Sequence, residues 1–293
     1  MEIYARLRGR FPLLALEAPF AFSRHTTIGT GGTCAVAASP VSERSCAELV
    51  RFLQEEGIPH VFLGVGANVL PREGWYEGVA VRFCRMKRLT ARGTRVYAGA
   101  GVTGGALLSF CEQRGIGGFS AFSGIPMSVG GGVAMNAGVR ERHFSDVVRA
   151  VLTVQGGKMR ILRAEECCFS EKSSVFLRGM PVLGAFLDGI ACSPREIARE
   201  SCYFRTRRRV LPKGRSMGCV FVNPKGVSAG ALIERCGLKG MRCGGAVVSD
   251  VHANFILNEG GTSEDISRLI RLVKEEVFRR TGILLREEIR RIP

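Results

Sequence analysis

The chain has 293 residues, of which 46% are hydrophobic and 23% charged. That balance excludes intrinsic disorder and allows a sizeable buried core, most simply in two or three compact units. Lysine and arginine number 42 against 26 acids, giving a formal net charge of +16. Such an excess favours anionic partners: nucleic acid, anionic lipid or phosphorylated small molecules.

The first apolar stretch, "FPLLALEAPFAF" at 11–22, is interrupted by Glu17 and Pro19, and no small-residue cleavage site follows. No stretch reaches the roughly 18–20 apolar residues of a membrane span. A soluble, cytoplasmic protein with no membrane contact is expected. Next, "CAELVRFLQEEG" (46–57) has apolar residues at helical spacing and a terminal glycine. "HVFLGVG" (60–66) and "GVAVRF" (78–83) are short apolar runs that predict buried strands, an α/β texture. "RLTARGTRVYAGAGV" (88–102) predicts a hairpin, "GGALLSFCEQRG" (104–115) a helix, and "VVRAVLTVQGGKMRIL" (147–162) a second hairpin across Gly156 and Gly157. "MPVLGAFLDGI" predicts a strand. "SPREIARESCYFRTR" predicts a helix capped by Ser193 with Pro194 in its first turn. The last ninety or so residues form a unit of their own, with a short helix at 228–237 and strand-like runs within 244–258. The clearest helix of the chain spans 262–282. Ser263 is its expected cap, and Ile266, Leu269, Ile270, Val273 and Val277 form one apolar stripe.

Eleven cysteines form an odd, irregular set with no CxxC pair, and the four histidines (His25, His60, His143, His252) lie far apart. This argues against a disulfide framework and a zinc site. No metal is expected, and most cysteines are read as small buried apolar residues in a reducing compartment. The one dense basic run is "RTRRRVLPKGR", 205–215. No aromatic-interleaved RNA-binding signature accompanies it, so a nucleic-acid partner is not expected from the pattern.

Three stretches share another character: "TTIGTGGTCA" (26–35), "FLGVGANVLP" (62–71) and the uncharged "SGIPMSVGGGVAMNAG" (123–138). Each joins an apolar run to glycines and small polar residues. Glycine permits positive φ and close approach of backbone to a ligand, and successive N–H groups can cradle phosphate oxygens. Together they predict a large phosphate-bearing ligand, although none carries a full dinucleotide fingerprint or a Walker lysine.

These segments, with "AGAGV" (98–102), "GCVFVNP" (218–224), "AGALIERCGLKG" (229–240) and "VSDVHANFILN" (248–258), resemble the UDP-N-acetylenolpyruvoylglucosamine reductase family from about Thr26 to the C-terminus. The short tail after "GCVFVNP" resembles its compact subclass, which lacks an extra substrate loop. The resemblance implies an α/β and α+β fold: a two-subdomain FAD-binding unit of the vanillyl-alcohol-oxidase type plus a smaller α+β substrate-binding domain. Boundaries are expected at 1–85, 86–200 and 201–293. It implies the cofactors FAD and NADPH, a UDP-sugar substrate, a role in peptidoglycan precursor synthesis and a monomer. Implied FAD contacts are Gly64, Gly66, Ala67 and Asn68, and Gly124, Ile125, Ser128, Gly130, Gly131, Asn136 and Gly138.

The implied reaction passes hydride from NADPH through FAD to an enolpyruvyl alkene, so charge builds on the substrate and a carbon must be protonated. The family's proton-donor serine aligns with Cys219, whose thiol, with a reference pKa of about 8.5, is the better acid. Asn223 resembles a substrate phosphate contact. The family's C-terminal carboxylate aligns through "LREEIR" (285–290) with Glu288, with Glu287 one position away in register. The family's arginine in the segment "FSEKSSVF" (169–176) is replaced by Lys172, beside Glu171. Lysine keeps the charge and loses the planar fork that grips a carboxylate. Arg207 and Lys213 are candidates for the UDP diphosphate. Two alternatives stay open: a basic nucleic-acid-binding protein with incidental glycine loops, and a flavin-binding relative with lost or altered chemistry.

Overall fold

The computed structural model describes residues 2–293, which group into two compact units. One comprises 2–18, 35–65 and 78–209; the other comprises 19–34, 66–77 and 210–293. This grouping cuts the chain differently from boundaries at 85 and 200. It places two sheets, each with its own core, in the larger unit.

The first sheet of the larger unit runs in the order Ala15–Glu17, Thr33–Ser39, Trp75–Arg82, His60–Leu63, with the last pair parallel. The parallel pairing follows from the crossover between 63 and 75, and the apolar runs 60–63 and 78–82 read as strands for that reason. Helix α1 (Glu2–Arg10) buries Leu7 among these residues; it has no extended apolar stripe and escapes notice in the sequence. Helix α2 (Glu43–Glu55) starts at Ser42, whose side chain accepts from the Ser45 N–H while its own N–H donates to Ser45 Oγ. Cys46, Leu49, Val50 and Leu53 on one face of α2 join Val36, Ala38, Val79 and Val81 in the core.

The second sheet is antiparallel: Lys158–Arg163, Val148–Gln155, Val182–Asp188, Arg95–Gly99, Leu89–Arg92. Both hairpins expected here form, with turns at Gly93 and at Gly156–Gly157, all at positive φ. Its core of Val96, Phe119, Phe122, Val133, Phe144 and Val151 is shared with helices α3 (Gly104–Glu112) and α4 (Val129–Ala134). Helix α5 (Pro194–Arg209) begins at Ser193, whose Oγ accepts from the Glu196 N–H at 3.2 Å, the cap expected there.

In the smaller unit, strands Ser216–Cys219, Phe255–Asn258, Ala246–Val248 and Arg242–Cys243 form an antiparallel sheet. Helices α6 (Ala229–Arg235) and α7 (Ser263–Thr281) cover it. The apolar stripe of α7 packs with Leu232, Ile233, Val248 and Ile256. The cap of α7 is Thr262 rather than Ser263: Thr262 and Asp265 form a reciprocal capping box, and Ser263 is the first helical residue. Val69–Pro71 pairs in parallel with Arg290–Ile292.

None of the eleven cysteines is in a disulfide. Five are buried, three half-buried and three exposed, so burial is less general than the composition suggests. Among the described residues no helix is long and apolar enough to cross a membrane, and no three His, Cys, Asp or Glu side chains group as metal ligands.

Candidate functional site

The neutral segment 123–138 is built around the six-residue helix α4. Ser128 caps it, its Oγ accepting from the Gly131 N–H at 3.4 Å. The three glycines are helical, and positive φ occurs in the segment only at Gly124 and Asn136. The N–H of Gly130 donates to Ala100 O at 2.9 Å and that of Gly132 to Ser128 O at 2.8 Å, so these groups are not a free donor row. What the glycines provide is space. A Cβ at Gly130 would stand 2.9 Å from Ala100 Cβ, and one at Gly132 would stand 2.5 Å from the buried Phe144 ring.

The donor row lies elsewhere. Among the described residues, none accepts a hydrogen bond from the consecutive N–H groups of Gly64, Val65, Gly66, Ala67 and Asn68. Gly66 has φ +69°, and a Cβ there would stand 2.4 Å from the His25 carbonyl oxygen. A Cβ at Gly64 would stand 2.6 Å from Ser128 Oγ, so the glycine segment 62–71 reaches the cap of α4. Ser123 Oγ is also buried without a partner.

Lys172 sits at the third position of a tight turn, with φ +55°. The turn is closed by Ser170 N–H to Ser173 O at 3.0 Å and Ser173 N–H to Ser170 O at 3.2 Å. Two bonds fasten it to the end of α4. Asn136 Nδ2 donates to Ser170 O at 3.0 Å, and Ser174 Oγ donates to Ala134 O at 2.7 Å. Asn136, an expected cofactor contact, thus spends its side chain inside the protein, its Oδ1 also accepting from the Ser145 N–H at 2.9 Å. Glu171 is exposed and Lys172 half-buried.

In the smaller unit, Cys219 ends a strand just after a register irregularity and after Gly218, which has φ +76°. Irregularities of this kind re-aim side chains near functional sites. Cys219 is half-buried, unlike a core thiol such as Cys46, which burial and the nearby Glu43 push up to about 12. The next residues are clamped by Asn254: its Nδ2 donates to Phe221 O at 2.8 Å and its Oδ1 accepts from the Phe221 N–H at 2.9 Å. Asn254 lies in "VSDVHANFILN", but nothing local in the sequence announced its reach of 33 residues.

Glu288 is drawn to the same place. Its N–H donates to Val220 O at 2.8 Å, beside Cys219, and its carbonyl accepts from Asn68 Nδ2 at 3.2 Å. Asn68 O in turn accepts from the Arg290 N–H at 2.9 Å. Glu287 has a different environment. It pairs with Lys274 at 3.2 Å and Arg291 at 3.1 Å, and it lines an open groove of about 780 Å³ along α7.

Asn223 is exposed, and its Oδ1 accepts from the Ala229 N–H at 3.0 Å near the start of α6, leaving its amide N–H groups for other partners. Lys213 is exposed. Arg207 pairs with Glu141 and lies 5.5 Å from the Tyr203 ring centroid. The shared hydrogen bond holds Glu141 below the usual carboxylate range and raises Arg207. From the same helix, Arg208 and Arg205 lie over Gly124: a Cβ there would meet Arg208 Cδ at 3.0 Å and Arg205 Cγ at 3.9 Å. The basic run was visible in the sequence; which of its arginines faces the glycine segment was not.

The residues fit a dinucleotide cofactor. The uncommitted N–H groups of 64–68 suit anionic oxygens, Ser123 Oγ is an unused donor, and glycines stand where a Cβ would obstruct backbone approach.

Residues 211–292 match the family described as UDP-N-acetylenolpyruvoylglucosamine reductase, C-terminal domain, and residues 34–163 match the FAD binding domain family. The chain is 37% identical to the UDP-N-acetylenolpyruvoylglucosamine reductase of Geobacter metallireducens, covering 99% of this chain and 97% of the relative. It is 35% identical to the reductase of the same description from Geotalea uraniireducens, covering 99% and 96%. Among solved structures, the UDP-N-acetylenolpyruvylglucosamine reductase of Thermus caldophilus superposes with a TM-score of 0.83 at 30% identity, covering 96% of this chain and all of that one. A solvent-stable cholesterol oxidase shares the fold over 61% of this chain and 38% of its own, with a TM-score of 0.50 at 16% identity.

Proposed function

Because the chain belongs to the UDP-N-acetylenolpyruvoylglucosamine reductase family, we propose that it reduces the enolpyruvyl ether of UDP-N-acetylglucosamine to UDP-N-acetylmuramate, a step of peptidoglycan precursor synthesis. The observation that carries this reading is the likeness over 99% of the chain, together with a half-buried Cys219 beside the Glu288 segment. When bound, FAD would supply the two-electron chemistry that links NADPH oxidation to reduction of the enolpyruvyl alkene.

The chain's own residues then have four tasks. The N–H groups of Gly64, Gly66, Ala67 and Asn68 hold cofactor phosphate oxygens. The flat ring of the cofactor is assigned to the segment 124–138, through Gly124, Ile125, Ser128, Gly130, Gly131 and Gly138. Lys172 faces the negative charge that develops on the substrate as hydride arrives, and a cation there stabilises it. Cys219 gives its thiol proton to the alpha carbon, and Glu288 orients the substrate for that transfer. Asn223, Arg207 and Lys213 are assigned to the UDP phosphates, with Arg207 released from Glu141 when substrate binds. Residues 1–85 and 86–200 serve the cofactor and 201–293 the substrate. On this reading the protein is a cytoplasmic monomer whose product feeds wall growth, and so cell shape, division and the cell cycle.

The test is an anaerobic visible spectrum of the purified protein, recorded before NADPH, after NADPH and after the enolpyruvyl UDP sugar. Flavin bands should bleach and then return. Bands that stay bleached would remove the substrate, and a protein that takes up no FAD would remove the cofactor. Cys219→Ala is expected to slow the return of the bands by about 10²–10⁴-fold, and Cys219→Ser by much less. Glu288→Gln should slow it while Glu287→Gln leaves it near wild type; the reverse order would move the role to Glu287.

A further inference from the structure

One corner of the larger unit carries backbone strain that the proposed chemistry does not itself explain. Three non-glycine residues of the described chain have positive φ: Asn136 at +43°, Cys168 at +47° and Lys172 at +55°. Two lie four residues apart around the Lys172 turn, and the third is the residue that holds the turn. Side chains other than glycine avoid this region at a cost of roughly 1–2 kcal/mol each, and such strain persists where the surroundings over-determine it. Its concentration at one corner calls for a reason.

Asn136 is 5% exposed and every side-chain hydrogen-bonding direction it uses points into protein. Asparagine is among the few residues that tolerate the left-handed region, so it can terminate the α4 segment and still carry an amide. The amide bridges two segments. Its oxygen takes the Ser145 N–H, 9 residues away, and its nitrogen reaches Ser170 O, 34 residues away. Ser170 O is also the acceptor that closes the Lys172 turn from the Ser173 N–H. One carbonyl therefore receives both the bond that closes the turn and the bond that ties it to the glycine helix. Ser174 Oγ to Ala134 O is a second tie, one residue beyond the turn.

We infer that Asn136 is a positioning residue for the proposed reduction: its amide, through Ser170 O, sets where the Lys172 ammonium stands relative to the glycine helix α4. This rests on the reading of Lys172 given above. It gives the short, exposed turn a fixed height although lysine itself is a flexible point charge. It also explains why the residue is asparagine. Glycine would accept the backbone conformation without the donor, and aspartate would keep the shape while turning the donor into a second acceptor facing Ser170 O.

The decisive variant is Asn136→Asp, with Asn136→Gly as the second should aspartate disturb folding. Stopped-flow absorbance separates bleaching by NADPH from the return of the bands on adding the enolpyruvyl UDP sugar. The return is expected to slow about 10–100-fold more than the bleaching, because a displaced charge hurts the step in which substrate charge develops. In the Lys172→Ala background, Asn136→Asp should add little further loss, since the group it positions is gone. Amide hydrogen exchange at Ser173 should rise in Asn136→Asp. Equal slowing of both steps, loss of bound flavin, additive effects with Lys172→Ala, or unchanged Ser173 exchange would each overturn the inference. A wild-type protein whose bands never return would instead overturn the proposed function, and Ser173 exchange would still judge the hold of Asn136 on the turn.

Discussion

The loop 64–68 and the helix α4 are both glycine-rich and neutral, and they use glycine in opposite ways. In the loop, Gly66 takes a positive φ and five consecutive N–H groups find no acceptor among the described residues. In the helix, the glycines are right-handed, their N–H groups are engaged, and the missing Cβ lets Ala100 and Phe144 close in. The loop offers hydrogen bonds; the helix offers shape. Composition does not distinguish the two uses, because it records the absent side chain and not what occupies the space.

Three substitutions would break or sharpen this contrast. The largest effect is expected for Gly66→Ala, which combines the left-handed penalty with a Cβ 2.4 Å from a backbone oxygen. A loss on the order of 3 kcal/mol or more, with loss of flavin uptake, is expected in calorimetry and absorbance. A stable, yellow variant would show that the loop conformation is not needed. Gly132→Ala should be milder, because its Cβ meets the Phe144 ring, while alanine favours the helix by about 1 kcal/mol. A net loss of about 1–2 kcal/mol with flavin retained is the expected outcome. If this variant loses flavin while keeping its stability, the helix is a donor site after all. The smallest effect should come from Gly105→Ala on α3, where nothing lies within 4 Å. It should gain up to about 1 kcal/mol in chemical denaturation, and a loss there would mean that local space does not control these glycines.

How much of this could be read beforehand differs by element. The α7 helix was legible to within a residue because its apolar stripe repeats at helical period and its start carries polar capping residues. The choice of Thr262 over Ser263 as cap was not, since both are cap-competent and only the Asp265 geometry selects between them. Helix α4 was not legible as a helix, because a run of glycines has the poorest propensity short of proline. It forms because Ser128 caps it and because Gly130 and Gly132 let it pack closely. The candidate residues Cys219, Glu288 and Lys172 were reached by motif. Their settings, such as a half-buried thiol after an irregular strand and backbone bonds that tie Glu288 to Val220 and Asn68, were not in the motif.

The sequence by itself determined the family and the local elements other than helices α1 and α4, since these are written in short-range order: hydrophobic period, caps, turn glycines and motif spacing. Tertiary structure alone decided which glycines give donors and which give room, that Glu287 pairs with Lys274 and Arg291, and that Asn136 holds the Lys172 turn. The physical reason is range. A bond from Asn136 to Ser170 O, or from Asn68 to Glu288 O across 220 residues, leaves no periodicity in the chain and exists only once the elements have packed.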